Sequence, residues 1–172
     1  MRIIGTLQQT GADEGSVRVE DVFDTGIEDL WEACTDPERL ARWFAPVSGE
    51  LREGGTFTIH FDDADTPRCR VVSCEAPTRL VWEWPVGEVA TLVTVEVTPD
   101  GEGARLELCH ARLDAGRVAG YAAGWDTYVR RLAADLSGEG LPEWDATWSA
   151  LHARYAALAD APGRSAHRER RR

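Results

Sequence analysis

The sequence predicts an α+β fold in which a curved antiparallel sheet wraps around one long helix near the C-terminus. Three observations predict it. Two short helical segments follow the first long strand pattern, a series of segments with a period of two fills the middle of the chain, and a long segment of helical period comes after them. The 172 residues suit one ordinary domain. Because one helix cannot fill the whole concave side of such a sheet, we predict a ligand cavity between them.

The N-terminal region begins with strand patterns and then changes to helix signals. Residues 3–8 are a first strand candidate, and residues 17–23 alternate between apolar and polar side chains. Asp24 or Thr25 is predicted to cap a short helix, because both types accept hydrogen bonds from the first amides of a helix. Pro37 predicts the first turn of a second short helix.

The pattern in the middle of the chain predicts an antiparallel meander with one buried face. Glycine, proline and aspartate turns separate the predicted strands, which cover residues 47–51, 56–61, 68–74, 80–84, 89–97 and 105–110. The acidic turn at residues 62–65 together with His60 could resemble a metal loop. The spacing lacks the further ligands and the glycine of a calcium loop, so we expect a solvated turn and no metal, with His60 on the outer face of the sheet.

The last third of the sequence has the period of helices. Residues 118–136 form a long amphipathic helix that ends at Ser137-Gly138, with Thr127, Arg130 and Arg131 on its polar face. A second helix, at 141–158, opens at Gly140-Leu141-Pro142 and carries Trp144 and Trp148 on one stripe. We predict that this helix packs on its own chain, with a homodimer through residues 141–158 as the alternative to a monomer.

These patterns divide the chain into three parts. Residues 1–138 form the predicted ligand-binding domain, residues 139–160 the appended amphipathic helix, and residues 161–172 a basic disordered tail.

Composition excludes several classes of function. The net charge of −11 argues against nucleic acid or an anionic membrane surface as a partner. All 19 basic residues are arginine, which excludes a P-loop and Schiff-base catalysis, since both need lysine. No apolar run is long enough for a membrane span or a secretion signal, so we expect a cytoplasmic protein. We expect no cofactor.

Several motifs resemble those of the START-like helix-grip superfamily. They are Thr35-Asp36-Pro37 with Leu40 and Trp43-Phe44, the turn Gly54-Gly55, the run Leu80-Val81-Trp82-Glu83-Trp84, and Gly124-Trp125 in the long helix. Within that superfamily the chain resembles the branch related to the C-terminal domain of the Hsp90 ATPase activator. The resemblance implies a helix-grip fold with a deep hydrophobic pocket. It does not imply one function, because members include lipid carriers, polyketide cyclases and hormone receptors.

Two polar residues are candidates for acid–base chemistry. His110 shares the parity of Leu106 and Leu108, and Asp21 that of Val17 and Val19, so both are predicted to point inward. His110 is either a proton-transfer group or a hydrogen-bonded strand-end histidine. Asp21 either pairs with His110 or an arginine inside the pocket, or is solvated at the sheet margin.

The predicted pocket lining is mainly aromatic and aliphatic. It consists of Phe57, Ile59, Phe61, Trp82, Trp84, Val93, Val95, Leu108, His110, Tyr121, Trp125 and Tyr128. The first hypothesis for function is binding or carriage of a small hydrophobic or aromatic metabolite without catalysis. The alternatives are a cyclase or aromatase that uses His110 or Asp21 to move protons, and a chaperone-interacting or stress and self-resistance protein.

Overall fold

A computed structural model describes residues 4–161 of the chain. The strands are β1 (Ile4–Gln9), β2 (Glu14–Phe23), β3 (Val47–Gly49), β4 (Thr56–Ile59), β5 (Arg68–Glu75), β6 (Arg79–Val86), β7 (Val89–Asp100) and β8 (Gly103–Asp114). The α-helices are α1 (Ile27–Thr35), α2 (Pro37–Trp43), α3 (Val118–Ser137) and α4 (Trp144–Asp160), and one 3₁₀ turn, Ala115–Arg117, precedes α3. Apart from Ala161, the predicted basic tail lies outside the described residues.

The eight strands form one antiparallel sheet in the order β1-β2-β8-β7-β6-β5-β4-β3. Helix α3 packs against β1, β2 and β8, and α1 packs against β7 and β8. The sheet is curved and the long helix follows its last strand, so the predicted α+β helix-grip fold is confirmed. Alternate residues of β2, β7 and β8 are buried toward the helices, as a sheet with one covered face requires.

A β-bulge follows His110 in β8. His110 lies opposite Val17 and Leu113 lies opposite Gly15, so two residues of β8 face one residue of β2. Arg112, inside the bulge, has a φ of 62°, a left-handed conformation that is uncommon for a residue with a side chain. Bulges bend a strand and increase its twist. This one therefore turns the end of β8 at the point where the chain leaves the sheet for α3.

Several predicted boundaries differ from those of the structure. The cap of α1 is Gly26 without a side-chain hydrogen bond, because the Thr25 hydroxyl donates to Asp29 instead. The predicted strands 47–51 and 56–61 end at Gly49 and Ile59, where the chain turns. Helix α4 begins at Trp144, because the Glu143 carboxylate accepts hydrogen bonds from the first amides of the helix. Leu141, predicted as the first residue of this helix, precedes it and is exposed.

Helix α3 is covered on both sides in its central turns. Thr127 on its predicted polar face is fully buried, and α4 packs against α3. Within residues 4–161, no helix is long and apolar enough to cross a membrane.

Candidate functional site

An open cleft of about 990 Å³ lies along α3. The β4–β5 and β6–β7 connections form one side of it, and the segment after α2 and the start of α4 close one end. Seven aromatic residues line it: Phe44, Phe61, Trp84, Tyr121, Trp125, Tyr128 and Trp144. This volume is at the upper end of the range that drug-sized ligands occupy.

The aromatic lining is a continuous set of ring contacts. Phe44 stacks on Trp125 with centroids 5.8 Å apart, and Phe61 stacks on Trp84 at 5.7 Å. Tyr128 joins the two pairs, because its ring meets Phe44 edge-on at 4.6 Å and Phe61 at 6.4 Å. Such pairs hold one another in place. The cleft therefore offers a preformed aromatic surface.

Two glycines of α3 widen the cleft. Gly120 and Gly124 both line it and lie one helical turn apart. A Cβ atom built on Gly124 would meet no atom within 4 Å, and one built on Gly120 would only touch Trp148 at 4.0 Å. Lining residues of α3 and its preceding turn extend from Gly116 to Arg131, which is about 22 Å of helix. The cleft is thus long enough for an elongated ligand.

His110 lies behind the aromatic wall and is fully buried. The Trp125 indole N–H donates to His110 Nδ1 at 3.1 Å, so the ring proton must sit on Nε2. His110 Nε2 then donates to the Thr91 hydroxyl at 2.7 Å, and that hydroxyl donates to the Trp84 carbonyl at 2.7 Å. The histidine therefore ties together two residues of the cleft wall.

Burial lowers the pKa of His110 to about 3, so the ring is neutral at physiological pH. Both ring nitrogens have partners inside the protein, and His110 is absent from the cleft lining. His110 is therefore hydrogen-bonded within β8, which continues past it to Asp114 and does not end there as predicted.

Asp21 is buried, as its parity predicts, but it lies away from the cleft lining. It faces Leu106 across the β2–β8 ladder, whereas His110 faces Val17. Four residues of strand separate the two positions, which is about 13 Å. The Asp21 carboxylate accepts a hydrogen bond from the Val22 amide at 2.9 Å. The structure therefore does not bring the two acid–base candidates together.

The predicted lining residues fall into two groups. Phe61, Trp84, Tyr121, Trp125 and Tyr128 line the cleft. Phe57, Ile59, Trp82, Val93, Val95 and Leu108 lie with His110 in the packed interior, each at most 7% exposed. The strand residues among them lie on the covered face of the sheet. Strand parity identifies that side but not which part of it the helices cover.

Several other lining residues were not in the predicted set. Phe44 and Trp144 come from the end of α2 and the start of α4. Arg117 belongs to the 3₁₀ turn before α3, and Arg131 to the predicted polar side of α3. The aromatic pair Trp43-Phe44 was the available sequence signal for the first of these, because Phe44 belongs to the quoted family motif. Nothing in helical period distinguishes Arg131 from a solvated arginine.

The acidic turn and His60 form the rim of the cleft. His60 borders the cleft and is exposed. Its amide pairs with the Pro46 carbonyl, and its ring contacts Ser48, which lies opposite Thr58 on the outer face of the sheet, as predicted. Its Nε2 lies 2.8 Å from the Ser48 hydroxyl. Asp62 accepts hydrogen bonds from the amides of Ala64 and Asp65, as a turn-forming aspartate does. No group of three or more metal-ligating side chains occurs within residues 4–161.

Fold and cleft together define a helix-grip protein of the ligand-binding kind. Residues 24–137 match the family "Activator of Hsp90 ATPase homolog 1-like protein", and the chain belongs to that family. The predicted START-like resemblance is thereby confirmed. None of the curated proteins compared with the chain matches it.

Solved structures of similar proteins cover most of the chain. The crystal structure of CalU16 from Micromonospora echinospora is 27% identical with a TM-score of 0.80, over 94% of this chain and 100% of that one. A Bordetella parapertussis protein is 27% identical with a TM-score of 0.69, over 86% and 87%. DynU16, described as a putative protein in the dynemicin biosynthetic locus, is 30% identical with a TM-score of 0.68, over 75% of this chain and 50% of that one.

Proposed function

We propose that this protein binds a small hydrophobic or aromatic metabolite in the cleft along α3 and carries or sequesters it. The observation that carries the proposal is the combination of preformed aromatic rings with open space above Gly124. A glycine inside a helix costs about 1 kcal/mol relative to alanine. Open space beside such a glycine is what a site for a guest molecule requires.

The position of His110 supports binding without catalysis. A general acid or base must reach the substrate proton directly or through one water. His110 is fully buried behind Trp84 and Trp125, and its nitrogens already bond Thr91 and Trp125. The carrier role therefore needs fewer assumptions than proton transfer by this residue.

A blocking variant tests the proposal. Gly124→Phe places a ring in the open space of the cleft, whereas Ala150→Phe adds the same ring at an exposed position of α4 outside it. A thermal-shift screen with hydrophobic and aromatic metabolites should give compounds that raise the Tm of the wild type and of Ala150→Phe. The same compounds should lose their effect on Gly124→Phe. If no compound shifts the wild type, or if Gly124→Phe responds equally, ligand binding in this cleft is wrong.

A cyclase-like reaction is the second candidate, favoured by the similarity to DynU16, a protein ascribed to a biosynthetic locus. Its proton-transfer groups would then be those that line the cleft, such as His60 or Tyr121, and not His110. Turnover that survives His110→Gln but is abolished by His60→Gln would favour this candidate. Chaperone interaction and self-resistance stay as sequence-based predictions.

A further inference from the structure

Arg131 lines one end of the cleft and is held there by two backbone carbonyls. Its Nε donates to the Trp43 carbonyl at 3.0 Å and its Nη1 donates to the Pro142 carbonyl at 3.0 Å. These bonds connect α3 to the end of α2 and to the segment before α4. A guanidinium has five N–H donors, so three remain. The two carbonyls fix the group without neutralising its charge.

The surroundings of Arg131 differ from those of the other half-buried arginines that the structure describes. Each of those lies within 4.0 Å of a carboxylate: Arg39 of Asp29, Arg79 of Glu96, Arg105 of Asp100 and Arg130 of Asp126. Within residues 4–161, Arg131 has no such partner. Partial burial of an unpaired charge is unfavourable. An anion supplied from outside the chain would relieve that cost.

Tyr128 adds a second donor beside Arg131. The two residues are three apart on α3 and both line the cleft. Burial raises the pKa of Tyr128, so its hydroxyl keeps its proton and can donate. Asp62 and Asp65 also line the cleft, on the β4–β5 connection. Their negative charges disfavour an anion near that connection.

We infer that Arg131 anchors an oxygen anion, a carboxylate or a phenolate, of an aromatic ligand whose rings lie along α3 above Gly124. This inference rests on the proposed function, because it assigns the ligand class of the same cleft. Charge-assisted hydrogen bonds from a guanidinium to an oxyanion are roughly twice as strong as neutral ones. Acidic aromatic compounds should therefore bind more tightly than their neutral analogues.

Two fluorescent probes that differ by one anionic group test the inference. They are anilinonaphthalene sulfonate and phenylnaphthylamine, which has the same rings without the sulfonate. Arg131→Gln should raise the Kd of the sulfonate about tenfold or more and that of the neutral probe less than about threefold. Arg131→Lys keeps the charge and loses the planar fork, so its effect should be intermediate. Arg154→Gln, an exposed arginine of α4 outside the cleft, is the control with the same change in net charge and should leave both Kd values unchanged.

The outcomes separate the inference from the proposed function. If neither probe binds the wild type, the proposed cleft function is contradicted. If both probes bind and Arg131→Gln weakens them equally, Arg131 only supports the cleft wall and the anion anchor is wrong. If circular dichroism shows that Arg131→Gln does not fold, the salt dependence of probe binding to the wild type tests the inference instead. Raising salt from about 50 to about 500 mM should then weaken the sulfonate and not the neutral probe, and equal responses would overturn the inference.

Discussion

The two sides of α3 use glycine and polar groups in opposite ways. On the closed side, where α4 and β1 pack, Gly5 of β1 leaves room for the Tyr155 ring, and a Cβ there would overlap the tyrosine hydroxyl. On the cleft side, a Cβ at Gly124 would meet nothing within 4 Å. The first glycine permits close packing, and the second leaves a space. A glycine in this fold is therefore informative only together with what surrounds it.

The polar groups show the same contrast. On the closed side the Tyr155 hydroxyl donates to Asp126 at 2.7 Å, and the other oxygen of Asp126 accepts from Arg130 at 2.8 Å. This buried carboxylate is thus satisfied entirely within the chain, as stability requires. On the cleft side Arg131 bonds only neutral carbonyls. On the closed side the buried carboxylate has its hydrogen-bond partners within the chain. On the cleft side the Arg131 charge has no partner of opposite charge among the residues that the structure describes, and we assign this side to a ligand.

The largest expected effect is on the closed side. Tyr155→Ala removes a fully buried ring and leaves Asp126 with one partner, so the free energy of unfolding should fall by about 3 to 5 kcal/mol. Urea denaturation measures this change. Tyr155→Phe keeps the ring and should cost only about 1 to 3 kcal/mol. A loss under about 1 kcal/mol for Tyr155→Ala would mean that the closed side does not hold α4 in place.

The second effect concerns the aromatic wall and is seen in the pH dependence of stability. Burial lowers the pKa of His110 to about 3, below its ordinary value of 6.5. Between these values the unfolded chain binds a proton that the native protein does not. This histidine should therefore reduce stability as the pH falls below about 6.5, by up to about 1.4 kcal/mol per pH unit.

Paired variants isolate the contribution of His110 from that of the many carboxylates. His110→Gln, which cannot titrate, should lose less stability than the wild type between pH 6.5 and pH 4, measured by urea denaturation at each pH. His60→Gln is the matched substitution at an exposed histidine. Equal slopes for His110→Gln and the wild type would show that the ring is not neutral and buried behind the wall.

Sequence patterns predicted the architecture better than the site. Alternation along β2 and β8 correctly placed Val17, Asp21 and His110 on the covered face, because one buried sheet face forces that period. Parity cannot tell a residue at an open cleft from one in the packed interior. That distinction depends on where α3 crosses the sheet. Parity alone therefore predicts His110 and Asp21 in the pocket, whereas both lie outside its lining.

The helices show a similar limit. Helical period assigned Thr127 and Arg131 to one polar face of α3, yet Thr127 is fully buried beside α4 and Arg131 reaches the cleft. The reason is that α3 is covered by the sheet on one side and by α4 on the other. A pattern of period 3.6 describes one interface and is ambiguous for a helix with two. Tertiary packing therefore decides which residues of the predicted polar face are buried and which reach the cleft.

The smallest expected effect has the opposite sign from the first and probes the cleft side directly. Gly124→Ala replaces a helix-interior glycine whose Cβ direction is open, so the free energy of unfolding should rise by about 0.5 to 1 kcal/mol. The added methyl enters the cleft, so the Kd for phenylnaphthylamine should rise although the protein is more stable. Gly5→Ala is the matched substitution on the closed side and should destabilise, because its methyl overlaps Tyr155. Destabilisation by Gly124→Ala would mean that the cleft is already filled by the chain, and the contrast between the two sides of α3 would be lost.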